Sequence, residues 1–130
     1  MPPAHSRCMA DPQSPRLHLR LLFGDRAMLG PGKADLLQAV ASTGSIAAAG
    51  RQMGMSYKRA WSLIDEMNAA FTQPLVQSVR GGAAGGGAHL TPQGERVVLL
   101  YRQLLDRIAE AGATEINALQ DMLRDMSDGK

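Results

Sequence analysis

A short helix and a longer one meeting at a glycine turn, a hairpin with a glycine-rich tip, and a final helix with apolar residues at steps of three and four predict the fold class. It is mainly α with a small β component: a winged helix-turn-helix followed by a long C-terminal dimerisation helix.

Residues 1–15, with Pro2, Pro3, Pro12 and Pro15, read as a disordered arm. Beyond them Leu17, Leu19 and Leu21 alternate loosely with Arg16 and Arg20, and Gly24-Asp25 separates this run from Arg26–Leu29. Glycine takes the positive φ of a two-residue hairpin turn, so a small β-ribbon opens the fold. Pro31-Gly32 breaks it, and Lys33–Ser42 sets Leu36, Leu37, Val40 and Ala41 at helical spacing up to a stop near Gly44. Ser45 is a good N-cap for Ile46–Met53, whose small side chains let another helix come close before Gly54 ends it. Ser56 caps the next helix, Tyr57–Phe71, whose broad apolar stripe runs from Ala60 and Trp61 through Ile64 and Met67 to Phe71. Pro74 closes that helix.

Leu75–Val79 reads as a strand, Arg80–Gly87 as a glycine-rich tip and Ala88–Leu90 as the return strand, which together form a wing. Thr91 and Pro92 start the last helix, Thr91 as N-cap and Pro92 at the first helical position, where its missing N–H costs nothing. Apolar residues follow at Val97, Tyr101, Leu104, Ile108 and Ala111, and again at Ile116, Leu119, Leu123 and Met126, which is a dimerisation seam or a long buried face. Unbroken from Pro92 to Met126 this helix would be ~50 Å long, and a second subunit is the simplest cover for it. Gly112 costs about 1 kcal/mol inside a helix and is expected to kink or briefly interrupt it. The expected division is an arm over 1–15, the DNA-binding domain over 16–91, and the dimerisation helix with its tail over 92–130.

Composition narrows the function. The chain has 130 residues, of which 45% are apolar, 20% charged and 4% aromatic, enough for one domain and too few for a multidomain enzyme. The net charge of +2 hides a gradient: residues 1–96 hold ten basic and six acidic groups, residues 97–130 four and six. The basic part and the acidic part are therefore expected to face different partners, and the basic excess permits a nucleic acid. Cys8 is the one cysteine, which excludes an intrachain disulfide and a cysteine-based zinc site and suits a reducing cytosol. No apolar run nears the ~18 residues of a membrane span, and the first residues lack the apolar stretch of a secretory signal. A cytoplasmic protein with no membrane partner is expected.

The candidate DNA contacts are Ser56, Tyr57, Lys58 and Arg59, at the helix end that enters a major groove. Arg59 or Lys58 suits a guanine edge or a phosphate, Tyr57 a phosphate or a thymine methyl, and Ser56 a phosphate while capping. Ser45 begins the helix that crosses the backbone, and its hydroxyl either meets a phosphate or only caps. Trp61, four residues after Tyr57 on the same face, is assigned to the core. In the wing, Arg80 suits the minor groove or a phosphate; the plainer alternative for the glycine run is a linker. A nucleotide-binding loop is rejected, because no Lys-Ser/Thr follows Gly87 and no βαβ unit surrounds it. His89 is assigned to the wing, since His5 and His18 stand at no ligand spacing from it, and no metal is expected. Asp65 and Glu66 are adjacent on a helix and face different directions, so no acid-base pair forms there and no enzyme is expected. The eight methionines read as adaptable core filling.

Gly44-Ser45-Ile46, Gly54-Met55-Ser56-Tyr57-Lys58-Arg59-Ala60-Trp61, Asp65-Glu66-Met67-Asn68, the glycine-rich hairpin and Leu90-Thr91-Pro92-Gln93-Gly94 resemble the N-terminal DNA-binding domain of molybdate-responsive transcriptional regulators of the ModE type. The resemblance runs from about Leu17 to Arg107. It implies a LysR-like winged helix-turn-helix that binds a palindromic operator on double-stranded DNA as a homodimer, with the helix after Thr91 as dimerisation helix and with regulated genes of molybdate uptake or molybdoenzymes. Regulators of this type continue into a pair of small β-barrel domains that bind molybdate or tungstate, and no second domain fits before Lys130. No cofactor is therefore expected, since molybdate or another oxyanion has no identifiable site in these residues. The alternative is a protein-interaction module that heterodimerises with a related, full-length regulator or antagonises it.

Overall fold

The computed structural model describes residues 15–79 and 87–123. They belong to two compact units, one formed by His18–Leu105 and the other, in its described part, by residues 15–17 and 106–123.

The first unit opens with the antiparallel pair β1 (Leu21–Phe23) and β2 (Ala27–Leu29). Phe23 pairs with Ala27, so the loop is three residues long, not the two expected, and Arg26 N donates to Phe23 O at 3.1 Å. The core sets this register: Leu29 lies opposite Leu21 and is buried, and a slip of one residue would turn it outward. Helix α1 spans Pro31–Thr43, two residues earlier than expected, because Pro31 both ends the ribbon and serves as a first helical residue with no N–H to satisfy. Gly44 ends it at φ +73°, with its N–H on Val40 O at 2.8 Å.

Helices α2 (Ile46–Gln52) and α3 (Tyr57–Ala70) follow, and then the antiparallel pair β3 (Val76–Val79) and β4 (Gly87–Leu90), in which Val76 faces Leu90 and Val79 faces Gly87. One core joins these elements. Leu36, Leu37 and Val40 of α1 meet Ile46 and Ala49 of α2, Ala60, Ile64 and Met67 of α3, Leu75, Val76 and Leu90 beside and within the β3–β4 pair, and Val98 of α4 (Pro92–Ala111). A smaller cluster gathers Leu29, Ala34 and Tyr101 with Leu19, Val97 and Leu105.

Side-chain hydrogen bonds fasten the ends of α3 and α4 to the start of β3. Asn68 Oδ1 accepts from Leu75 N at 2.8 Å and from Val76 N at 3.1 Å, and its Nδ2 donates to Val76 O at 3.2 Å. Thr91 Oγ1 accepts from Gly94 N at 3.0 Å, the expected cap, and also donates to Pro74 O at 2.7 Å. Its own N–H reaches Leu75 O at 2.9 Å.

In the second unit α4 ends at Ala111 and α5 covers Ala113–Asp121. Gly112, at φ −99° and ψ 11°, separates them, which is the short interruption anticipated there. The hydrogen bonding carries across, from Gly112 N to Ile108 O at 2.8 Å and from Ile116 N to Gly112 O at 2.9 Å. No described residue of α5 is buried.

Candidate nucleic-acid interface

The approach of α2 to α3 rests on two glycines. A Cβ at Gly50 would stand 3.2 Å from Ala60 Cβ and 3.3 Å from Met55 O, so only hydrogen fits comfortably between the helices. Gly54 holds φ +74° in the turn, a backbone state that glycine adopts freely. Met55 N returns to Gly50 O at 2.8 Å and closes the turn against the end of α2.

Both helices of the motif start from a serine cap. Ser45 Oγ accepts from Ala48 N at 3.1 Å, and Ser56 Oγ accepts from Arg59 N at 3.0 Å. Ser56, Tyr57, Lys58 and Arg59 are all exposed at the first turn of α3, and Ser45 is half-buried. Arg51, in the last turn of α2, is exposed as well. Among the described residues no ion pair takes up Arg51, Lys58 or Arg59, whereas Lys33 meets Glu66 at 3.4 Å and Arg102 meets Asp35 at 3.6 Å. The charge at the start of α3 is thus open to an anionic partner.

The strand pair β3–β4 stands beside this end. Ala88 N donates to Gly44 O at 2.9 Å, and a Cβ at Gly87 would stand 3.1 Å from the same oxygen, so β4 lies directly on the α1–α2 turn. Ser45, Tyr57, Trp61, Ser78, Val79 and Gly87 line an open groove of about 290 Å³ where the two helix starts meet the strands. Arg80 lies outside the described residues, as do the glycines that follow it up to Gly86. His89 is exposed on β4 opposite Gln77, and no group of three metal-ligating side chains occurs among the described residues. No helix among them is long and apolar enough to cross a membrane.

Trp61, assigned to the core from sequence, does pack against it, but its Nε1 donates to Tyr57 Oη, a contact the spacing of four residues brings within reach. Spacing and residue type alone give Asn68 and Gly94 no role in the sequence. Both stand in the segments that carried the family resemblance, which was the available signal.

The apolar seam is rearranged. Tyr101 is only 3% exposed, its ring in the smaller cluster and its hydroxyl donating to Leu19 O at 2.6 Å, so it faces its own fold and leaves the candidate dimer interface. Burial pushes the Tyr101 phenol pKa up, the Asp35 carboxylate adds to this, and Arg102 opposes it. Val97 packs against both clusters. Leu104, Ile108 and Ile116 are half-buried, and Leu119 and Leu123 are exposed. Leu99 and Leu100, which the stepping by three and four passed over, are large exposed apolar residues on α4.

The family described as "Bacterial regulatory helix-turn-helix protein, lysR family" matches residues 33–95, the stretch from α1 into the first turn of α4. Among curated proteins, the molybdenum-pterin-binding protein MopB of Rhodobacter capsulatus is 42% identical over 90 residues, which is 69% of this chain and 32% of MopB. The transcriptional regulator ModE of Yersinia pestis is 42% identical over 83 residues, 64% of this chain and 32% of that protein. The DNA-binding transcriptional dual regulator ModE of Escherichia coli (strain K12) is 34% identical over 108 residues, 78% of this chain and 41% of that regulator. The chain therefore spans between 32% and 41% of the length of these relatives.

Proposed function

We propose, from the match of residues 33–95 to the LysR-family helix-turn-helix and the likeness to ModE-type regulators, that this protein is a sequence-specific DNA-binding transcriptional regulator that reads its operator with the first turn of α3. The observation that carries the reading is the exposed cationic end of α3, which no ion pair takes up among the described residues, held against α2 by Gly50 and set beside β3–β4. Arg59 and Lys58 supply the guanine or phosphate contacts, Ser45, Ser56 and Tyr57 the neutral ones, and Arg80 the contact from the wing.

The protein acts as a homodimer. The apolar residues Leu104, Ile108, Ile116, Leu119 and Leu123, with Leu99 and Leu100 added by their exposure, supply the surface a second copy covers. Two recognition helices then address half-sites ~34 Å apart, or a multiple of that, in an inverted repeat. The molybdenum in the name of MopB, with the resemblance of the sequence to molybdate-responsive regulators, directs the proposal to genes of molybdate uptake or molybdoenzymes.

The test is selection of genomic fragments with the purified protein, with and without molybdate, at a fixed ~150 mM salt so that specific binding stands above the electrostatic background. The expected result is recovery of a palindrome. Recovery of no sequence overturns the reading and favours a module that works by heterodimerising with a full-length regulator, for which the exposed Leu119, Met122 and Leu123 of the α5 segment offer the contact surface.

A further inference from the structure

The start of α3 carries a pair of rings whose hydrogen bond has a direction. Trp61 Nε1 donates to Tyr57 Oη, and the two rings meet edge to face with centroids 6.4 Å apart and planes at 85°. An indole N–H can only donate, whereas a phenol oxygen both donates and accepts. Tyr57 therefore accepts from Trp61 and keeps its own O–H as a donor, for which no acceptor is recorded among the described residues. Trp61 is itself anchored, packed against the main core, so the phenol is held from a fixed point.

Tyr57 is 55% exposed and forms one wall of the groove between α2, α3 and β3. Ser45 and Ser78 stand on the other walls. Ser45 Oγ accepts from Ala48 N and so retains its O–H as a donor. Among the described residues the lining thus offers three hydroxyls and no carboxylate, a set that suits an oxyanion. Among the described residues it also contains no cation, so a free anion gains little from them by leaving water. A phosphate already brought there by Lys58 and Arg59 on the same helix turn does gain.

We propose that this groove seats one backbone phosphate of the bound DNA, and that Trp61 is a positioning residue that aims the Tyr57 O–H at it. The inference rests on the DNA-binding reading above. It assigns Tyr57 to the backbone and not to a thymine methyl, and it adds Ser78 of β3 to the contacts. Because its donors are neutral, this contact strengthens binding without displacing a counterion of its own.

The experiment uses the full chain, whose only tryptophan is Trp61, so that its fluorescence and its indole N–H resonance report on the groove alone. Duplex recovered by the fragment selection, or a duplex of arbitrary sequence if none is enriched, is titrated into the parent protein and into Tyr57→Phe, Trp61→Phe and Ser78→Ala. Inorganic phosphate is titrated in a separate arm. Expected are about a tenfold loss of affinity for Tyr57→Phe, the size of a hydrogen bond to a charged group, with base preference and salt slope unchanged. Trp61→Phe, checked for folding by urea denaturation, loses about threefold in the same way, since the phenol is retained and only its aim is lost. The indole resonance shifts on Tyr57→Phe and on adding duplex, and does not respond to inorganic phosphate.

Parent-like affinity for Tyr57→Phe overturns the inference and leaves the regulator reading standing. A changed base preference at one position overturns it by making Tyr57 a reader of bases. A response to inorganic phosphate alone overturns it in favour of a free-anion site. A parent protein that binds no duplex overturns both readings.

Discussion

At Gly94 a single hydrogen atom is all that fits between α4 and the chain that enters β3. A Cβ there would stand 2.1 Å from Leu75 O, a backbone atom that cannot rotate away. Gly94→Ala must push the first turn of α4 off β3 and break the Thr91 bonds that hold it. A loss of about 3 kcal/mol or more is expected in urea unfolding, at the upper end of overpacking costs. At Arg59 the expectation concerns binding instead, because the side chain is exposed and its backbone N–H already has its cap in Ser56. Arg59→Ala should leave stability within about 0.5 kcal/mol. It should lower affinity for the selected duplex by ~1–3 kcal/mol and relax preference at one base pair per half-site, as a binding titration against single-base variants would read.

Between elements, Asn68 fastens the last turns of α3 to β3 with three hydrogen bonds. Asn68→Ala strands the N–H of Leu75, a residue with no exposed surface, and two groups of Val76. The unfolding free energy should fall by about 2–3 kcal/mol, with the β3–β4 amides losing protection first. No sequence rule pointed to this bond, since it joins positions seven and eight residues apart across a loop whose path only tertiary packing decides. What local chemistry decides was legible: Ser45, Ser56 and Thr91 cap as their positions imply, and Gly112 separates two helices. Where one residue serves two neighbours, the reading divided. Pro31 reads as a break in the ribbon and is also a helix start, and Gly24-Asp25 signals a turn without saying that Arg26 belongs to it. Steps of three and four located the apolar stripe of α4 but not the part of it that the protein's own core covers, which is how Tyr101 came to be assigned to a partner. For the candidate site, Ser56 to Arg59 stood out because a cap, two cations and a ring are adjacent in sequence. The second role of Trp61 did not, because a stripe residue and a groove residue look alike at helical spacing.

For the molecule as a whole, Tyr101 links stability to alkaline pH. Its phenol pKa is raised in the fold above the ordinary value of 10.0, chiefly by burial. Below pH 10.0 both folded and unfolded chains keep the proton and stability is complete. As pH rises from there through the folded value, the unfolded chain releases a proton that the folded one retains, so stability falls. Tyr101→Phe should cost about 1 kcal/mol at neutral pH, from the bond to Leu19 O, and should remove this part of the alkaline decline in unfolding titrations.

The same bond spans 82 residues of chain, whereas the bond from Thr91 to Pro74 spans 17. The main core also joins distant segments, α1 to Val98 of α4, but the β1–β2 ribbon is tied through the smaller cluster to a still more distant part of α4 and must wait for that part to return to it. Release follows the reverse order. The ribbon is expected to open as a separate, less stable unit, so that hydrogen exchange frees the amides of Leu21–Leu29 at a lower free energy than those of α1 and α3. Truncating the chain before Tyr101 should then loosen the ribbon ahead of the helix-turn-helix.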